Sequence, residues 1–164
     1  MSSRPTLSAN SAQDLRPFLA DHASTALMAQ VFAQHLGAGA TVLLSGPVGA
    51  GKSHFARALI RAYLGPDVEV PSPSFTLVQC YEAGEFEIWH ADLYRLSNAG
   101  EVAELGLYDA MGRDLCLIEW PDRLADLPKD SIHITLAYEG EGRRARISGA
   151  SKSLQAALSS TFLT

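Results

Sequence analysis

The chain has 164 residues, 47% of them apolar, with 13 Lys and Arg against 18 Asp and Glu for a net charge of −5. That acidic balance argues against a stand-alone nucleic-acid binder, which shows a basic surplus, and the length suits one sheet-and-helix core but not two. No apolar run approaches the roughly 18 residues of a membrane span, and Met1 to Asn10, Ser-rich with Arg4 and followed by no apolar core, does not read as a signal peptide, so the expected location is the cytoplasm.

In chain order, Asp14 to Leu19 reads as an edge strand, where Pro17 is tolerated. Asp21 or Ser24 then caps a helix running to about Leu36, with Leu27, Val31 and Phe32 as its buried stripe and Gly37-Ala38-Gly39 as its stop. Thr41-Val42-Leu43-Leu44-Ser45 is a short β-branched and apolar segment of the kind that makes a buried parallel strand. From Lys52 to Leu64 the spacing of Phe55, Leu59 and Tyr63, with Ala56 and Ile60 beside them, predicts a helix stopped by Gly65-Pro66. Pro71 to Thr76 reads as extended and hydroxyl-rich, before a hairpin of Leu77 to Tyr81 and Phe86 to His90 around Glu82-Ala83-Gly84-Glu85.

Asn98-Ala99-Gly100-Glu101 has the layout of a capping box opening a short helix toward Leu105, with a further helical piece at Leu107 to Met111. Leu115-Cys116-Leu117-Ile118 is a second buried strand, and Ser131 to Tyr138 with Arg143 to Ser148 forms a closing hairpin. The expectation is a single domain over 1–164, with 1–13 and 150–164 as its margins, frayed or, from Ser151, a short helix. Cys80 and Cys116, both in apolar strand-like runs, are expected as buried thiols of a reducing compartment.

Between the first buried strand and its helix lies Gly46-Pro47-Val48-Gly49-Ala50-Gly51-Lys52-Ser53, which fits G-x-x-x-x-G-K-[ST]. A phosphate chain needs several backbone N–H groups aimed at one point, and glycines let the backbone come that close. The helix N-terminus adds unpaired N–H groups and partial positive charge. Gly46, Gly49, Ala50, Gly51, Lys52, Ser53 and the following His54 are therefore the expected nucleotide contacts, with Lys52 on the β and γ phosphates and the Ser53 hydroxyl on a Mg²⁺ ion that bridges them. Pro47 lacks an N–H but stands before the donors that matter.

Such a loop needs a carboxylate for the metal and a group to position an attacking water or acceptor hydroxyl. Glu119 closes the apolar run Leu115 to Ile118 and should emerge at the carboxyl end of a parallel strand, where α/β sheets bind ligands. Asp92 follows His90 by two residues and is expected at the same edge. Ser74 and Thr76 are switch-like candidates for the γ-phosphate, against an alternative in which they are hydroxyls of a proline-stiffened loop. His90 reads as a relay or polar contact near Asp92 or as a structural residue, Arg95 as a partner of phosphate or of a carboxylate, and Trp120 as packing. Arg143, Arg144 and Arg146 read as a basic cluster for nucleic acid or nucleotide, or as solvated charges.

Taken in order, G-x-x-G-A-G-K-S, S-P-S-F-T-L-V, H-A-D-L-Y-R-L, E-L-G and I-E-W-P resemble the bacterial TsaE family, also called YjeE, over about Ser24 to Arg146. The resemblance implies an α/β single-domain P-loop NTPase fold with a mostly parallel central sheet, flanking helices and antiparallel hairpin additions. It implies an ATPase of tRNA threonylcarbamoyladenosine modification, with ATP and Mg²⁺ as cofactors, the metal held by Ser53 and Glu119, and an essential Asp92 near the γ-phosphate. Lys52, Asp92 and Glu119 are then the catalytic set, and Thr25 falls on the adenine side. The implied partners are TsaD and TsaB type proteins, which carry most of the RNA contact, so tRNA is touched indirectly. The chain departs from the family pattern at Pro47-Val48, where Asp-Leu is usual, and at Ser53 and Ser74, where Thr is usual.

Two other readings use the same loop. A small-molecule kinase needs an Arg-bearing lid and an acceptor pocket; no clear lid stands out, though Arg113 and Arg123 could be pressed into service. A GTPase-like switch would use Asp109-Ala110-Met111-Gly112, but that Asp does not follow a strand and no N-K-x-D signature is present.

Overall fold

The structure is a computed structural model that describes residues 14–162; the expected absence of a signal peptide and the frayed 1–13 margin lie outside these residues. Seven strands form one sheet: β1 (Phe18–Leu19), β2 (Thr41–Ser45), β3 (Val78–Glu82), β4 (Glu87–Asp92), β5 (Leu115–Glu119), β6 (Ile132–Glu139) and β7 (Gly142–Ser148), in spatial order β1-β7-β6-β2-β5-β4-β3. The four central strands, β6, β2, β5 and β4, run parallel. Antiparallel partners close both edges, β3 on one side and the β6–β7 hairpin with β1 on the other.

Alternation along the central strands sends side chains to two separate cores. Val42, Leu44, Ile88, Leu115 and Leu117 face one way. They pack against α1 (His22–Ala33), α2 (Lys52–Leu64) and α5 (Lys152–Phe162). Leu43, Ala91, Cys116 and Ile118 face the other way, toward the short helices α3 (Ala99–Ala103) and α4 (Leu107–Ala110). Phe32 and Phe55 meet edge to face at 5.3 Å between α1 and α2. Among the described residues no helix is long and apolar enough to cross a membrane.

Several expectations need correction. In α1 the buried side is Thr25, Met28, Ala29, Val31 and Phe32, whereas Leu27 is exposed; this helix is Ala-rich and apolar nearly all round, so periodicity alone does not choose its face. Cys80 is exposed, because β3 is an edge strand with open faces, and only Cys116 is buried. Burial pushes the Cys116 thiol up to about 12 and raises that of Cys80 as well, so neither is an activated nucleophile. Residues 152–162 are not a frayed margin: α5 docks through Leu154 and Leu158, both fully buried. Pro73 to Thr76 is a turn rather than an extended segment, closed by the Leu77 N–H donating to the Pro73 carbonyl at 2.7 Å. A φ fixed near −65° suits a helical turn as well as an extended chain. At α3, Asn98 accepts from the Glu101 N–H, but Glu101 reaches back to the N–H of Ser97 rather than that of Asn98.

Candidate functional site

Parity along the strands decides what stands beside the glycine loop. Residues 88, 90 and 92 of β4 and 115, 117 and 119 of β5 share a face, and Ile88, Leu115 and Leu117 lie in the core on the α2 side. His90, Asp92 and Glu119 therefore point to the same side as the helix that the loop opens. Register does the rest, since Asp92 pairs with Glu119 and Glu119 with Leu44, one residue before Ser45 leads into the loop. Asp92 is thus the last residue of β4, not two residues past a strand end, because parallel pairing with β5 carries on to Glu119.

The glycine loop and the carboxyl ends of β4 and β5 enclose a cleft of about 400 Å³. The Ser53 hydroxyl, at the start of α2, donates to both oxygens of Glu119, at 2.8 and 3.0 Å. The second Glu119 oxygen also accepts from His90 Nε2 at 2.7 Å, in a fully buried contact. Among the described residues His90 Nδ1 has no partner, and because the Glu119 carboxylate only accepts, His90 donates through Nε2. His90 therefore serves Glu119 rather than Asp92. Asp92 is less constrained, with the Tyr94 N–H at 3.1 Å on one oxygen and the Ser74 hydroxyl at 3.4 Å on the other.

Lys52 is 5% exposed and gives its protons to the Gly46 and Pro47 carbonyls at 2.6 and 2.9 Å. Its ammonium lies 4.4 Å from the centre of the Trp120 ring. Burial pushes this ammonium below its ordinary value, against the opposing pull of Glu119 and Asp92. The loop glycines Gly46, Gly49 and Gly51 all have positive φ, and at Gly46 a Cβ would run into the Leu136 carbonyl oxygen. Such a backbone forms a concave row of N–H groups fit for an anion.

Other expected residues divide. His54 lines the cleft, where its ring lies 4.5 Å from that of His22. Ala50 and Thr25 are buried and line a small adjoining cavity on the α1 side of the loop. Ser74 lines the cleft; Thr76 is exposed and accepts from Gln79 instead. Arg95 lines the cleft with its guanidinium 5.7 Å from the exposed Phe75 ring and no carboxylate beside it. Arg113 and Arg123 are tied to Asp114 and to the Leu96 carbonyl, away from the cleft. Sequence reasoning missed Arg57, Tyr94 and His22 as lining residues. The signal for Arg57 was its place one turn after Ser53.

The pair Ser53 and Glu119 is an all-oxygen donor set, which suits a hard cation such as Mg²⁺. Among the described residues no group of three or more His, Cys, Asp or Glu is arranged to hold a metal.

The family model described as "Threonylcarbamoyl adenosine biosynthesis protein TsaE" matches residues 19–146. The tRNA threonylcarbamoyladenosine biosynthesis protein TsaE of Rickettsia conorii is 42% identical over 103 residues, covering 63% of this chain and 59% of that protein, less than two thirds of its length. The proteins of the same name from Synechocystis and Treponema pallidum are 42% and 34% identical, covering 68% and 73% of this chain and 73% and 89% of their own lengths. The crystal structure of YdiB from Bacillus superposes with a TM-score of 0.66 over 90% of this chain and 93% of that one, at 20% identity, a likeness of fold. The fold is that of a P-loop NTPase, and the chain belongs to the TsaE family of threonylcarbamoyladenosine biosynthesis.

Proposed function

We propose that the chain is the Mg²⁺-dependent ATPase of a tRNA threonylcarbamoyladenosine modification complex, acting on TsaD and TsaB type partners rather than on the RNA. The observation that carries this reading is the Ser53 hydroxyl on Glu119 beside Lys52 at the mouth of the loop. Gly46 to Ser53 with His54 would hold the phosphates, and the small cavity bordered by Thr25 and Ala50 supports an adenine position on the α1 side. Lys52 would exchange two neutral carbonyls for phosphate oxygens, a stronger charge-assisted pairing. Ser53 and Glu119 would hold the metal, with His90 fixing the carboxylate. Bound Mg²⁺ supplies charge neutralisation on the phosphate oxygens. Asp92, one of whose oxygens is met only by the Ser74 hydroxyl at 3.4 Å, would orient the attacking water, whose oxygen bonds to the γ-phosphorus as the bond to ADP breaks and whose proton passes to the released phosphate. Arg57 and Arg95 add to the same cleft two cations that have no carboxylate partner among the described residues.

The test is ATP hydrolysis by the purified protein, alone and with the TsaD and TsaB type proteins, for the wild type, Lys52→Ala and Glu119→Ala. Turnover stimulated by the partners and lost in both variants is expected. Indifference to the partners together with phosphate transfer to a small metabolite would replace this reading with that of a kinase.

A further inference from the structure

The three arginines of the closing hairpin do not act together. Arg144 pairs with Glu139 at 2.6 Å and Arg146 with Asp14 at 2.7 Å, both on the surface. Arg143 turns instead to the glycine loop, donating to the Gly49 carbonyl at 3.2 Å while its guanidinium lies 4.3 Å from the centre of the Tyr138 ring. Tyr138, across β6–β7 from Arg143 in register, donates its hydroxyl to the Val48 carbonyl at 2.6 Å. One stacked pair thus grips two successive carbonyls of the loop.

The geometry points to Tyr138 and Arg143 as positioning residues that set the direction of the loop's N–H groups, an inference that rests on the nucleotide reading above. Across a trans peptide the C=O and the following N–H point to opposite sides. Val48 and Gly49 line the cleft and Tyr138 does not, so a Val48 carbonyl held on the hairpin side turns the Gly49 N–H toward the cleft. That N–H meets no backbone carbonyl among the described residues and is free for a phosphate oxygen. Gly49 has a φ of 83°, in the left-handed region that favours glycine, and a Cβ there would lie 2.7 Å from the Tyr138 hydroxyl and push it off the loop. Without the grip, the Val48-Gly49 peptide can rotate, and bound nucleotide must bear the cost of ordering it.

The test compares Tyr138→Phe, which keeps the ring under Arg143 and removes only the hydroxyl, with Arg146→Gln, which alters the same hairpin without touching the loop. Mg-ATP and Mg-ADP affinities are measured by calorimetry on the full chain, beside the thermal midpoint of the nucleotide-free protein and with Lys52→Ala as reference. Tyr138→Phe is expected to weaken both nucleotides about 3- to 10-fold with an unchanged midpoint, and Arg146→Gln to bind as the wild type does. Wild-type affinity in Tyr138→Phe, with Lys52→Ala impaired, overturns the grip and leaves the nucleotide reading standing. Equal losses in Tyr138→Phe and Arg146→Gln with a lowered midpoint reduce the hairpin to scaffolding and also overturn it. A wild type that binds neither nucleotide overturns both.

Discussion

The two walls of the cleft are built differently. On the side of the glycine loop and β5, the charged side chains are held at short range: Ser53 and His90 fix Glu119, Lys52 is locked on two carbonyls, and the hairpin grips the loop from behind. On the side of the Pro73–Thr76 turn, Ser74 stands 3.4 Å from Asp92, Phe75 is 86% exposed, and Arg95 rests on that ring without a carboxylate. A wall that must present phosphate donors gains from preorganisation, whereas one that answers to a partner needs few contacts to break. On the reading proposed above, phosphate and metal chemistry would belong to the first wall and its control by a partner to the second.

The largest effect that can break this division is at Glu119. Glu119→Ala removes the carboxylate proposed to hold the metal and leaves the buried His90 Nε2–H without an acceptor. ATP turnover should fall by at least about 100-fold, and denaturant unfolding should show a loss of about 1–3 kcal/mol; unchanged stability would mean that His90 finds another partner. Next comes Gly46→Ala. With φ at 144° and the Leu136 carbonyl in the way of a Cβ, the cost should be about 3 kcal/mol, read as a thermal midpoint lower by about 10 °C.

On the loose wall, Phe75→Ala should leave both the midpoint and basal hydrolysis unchanged and reduce only the stimulation by partners, which a titration of partner into a steady-state assay measures. A large change in basal turnover would place Phe75 in the chemistry and erase the contrast. The smallest effect sharpens burial: a thiol reagent should label Cys80 in the native protein and reach Cys116 only on unfolding, as mass spectrometry of the labelled peptides reports.

The same division governs what could be read from the sequence. The strand over Thr41–Ser45, the helix over Lys52–Leu64 and the strand end at Glu119 were legible because local signals agree: a β-branched run, a glycine loop, a four-residue apolar spacing. That Glu119 and Asp92 both reach the sheet edge beside the loop was legible from the strand ends, whereas the choice of Glu119 as the partner of Ser53 came from the family resemblance. Contacts set by tertiary placement were not legible. Nothing local in Tyr138 or Arg143 says that the hairpin lies against residues some 90 positions earlier, and Pro71 and Pro73 are compatible with either the extended segment expected or the turn found. Of the two alternatives for His90, the contact near Asp92 follows distance along the chain, whereas the acceptor found, Glu119, lies across the sheet on β5 and leaves His90 a buried residue with its polar contact made.

Whether the tight wall carries phosphate and metal is decided most directly by a crystal structure with a non-hydrolysable ATP analogue and Mn²⁺, located by its anomalous signal in place of Mg²⁺. Mn²⁺ is expected between the Ser53 hydroxyl and Glu119, with Lys52 moved from the Gly46 and Pro47 carbonyls to the analogue's phosphates. Nucleotide bound elsewhere, or Mn²⁺ on Asp92 with Ser53 still donating to Glu119, would contradict that placement.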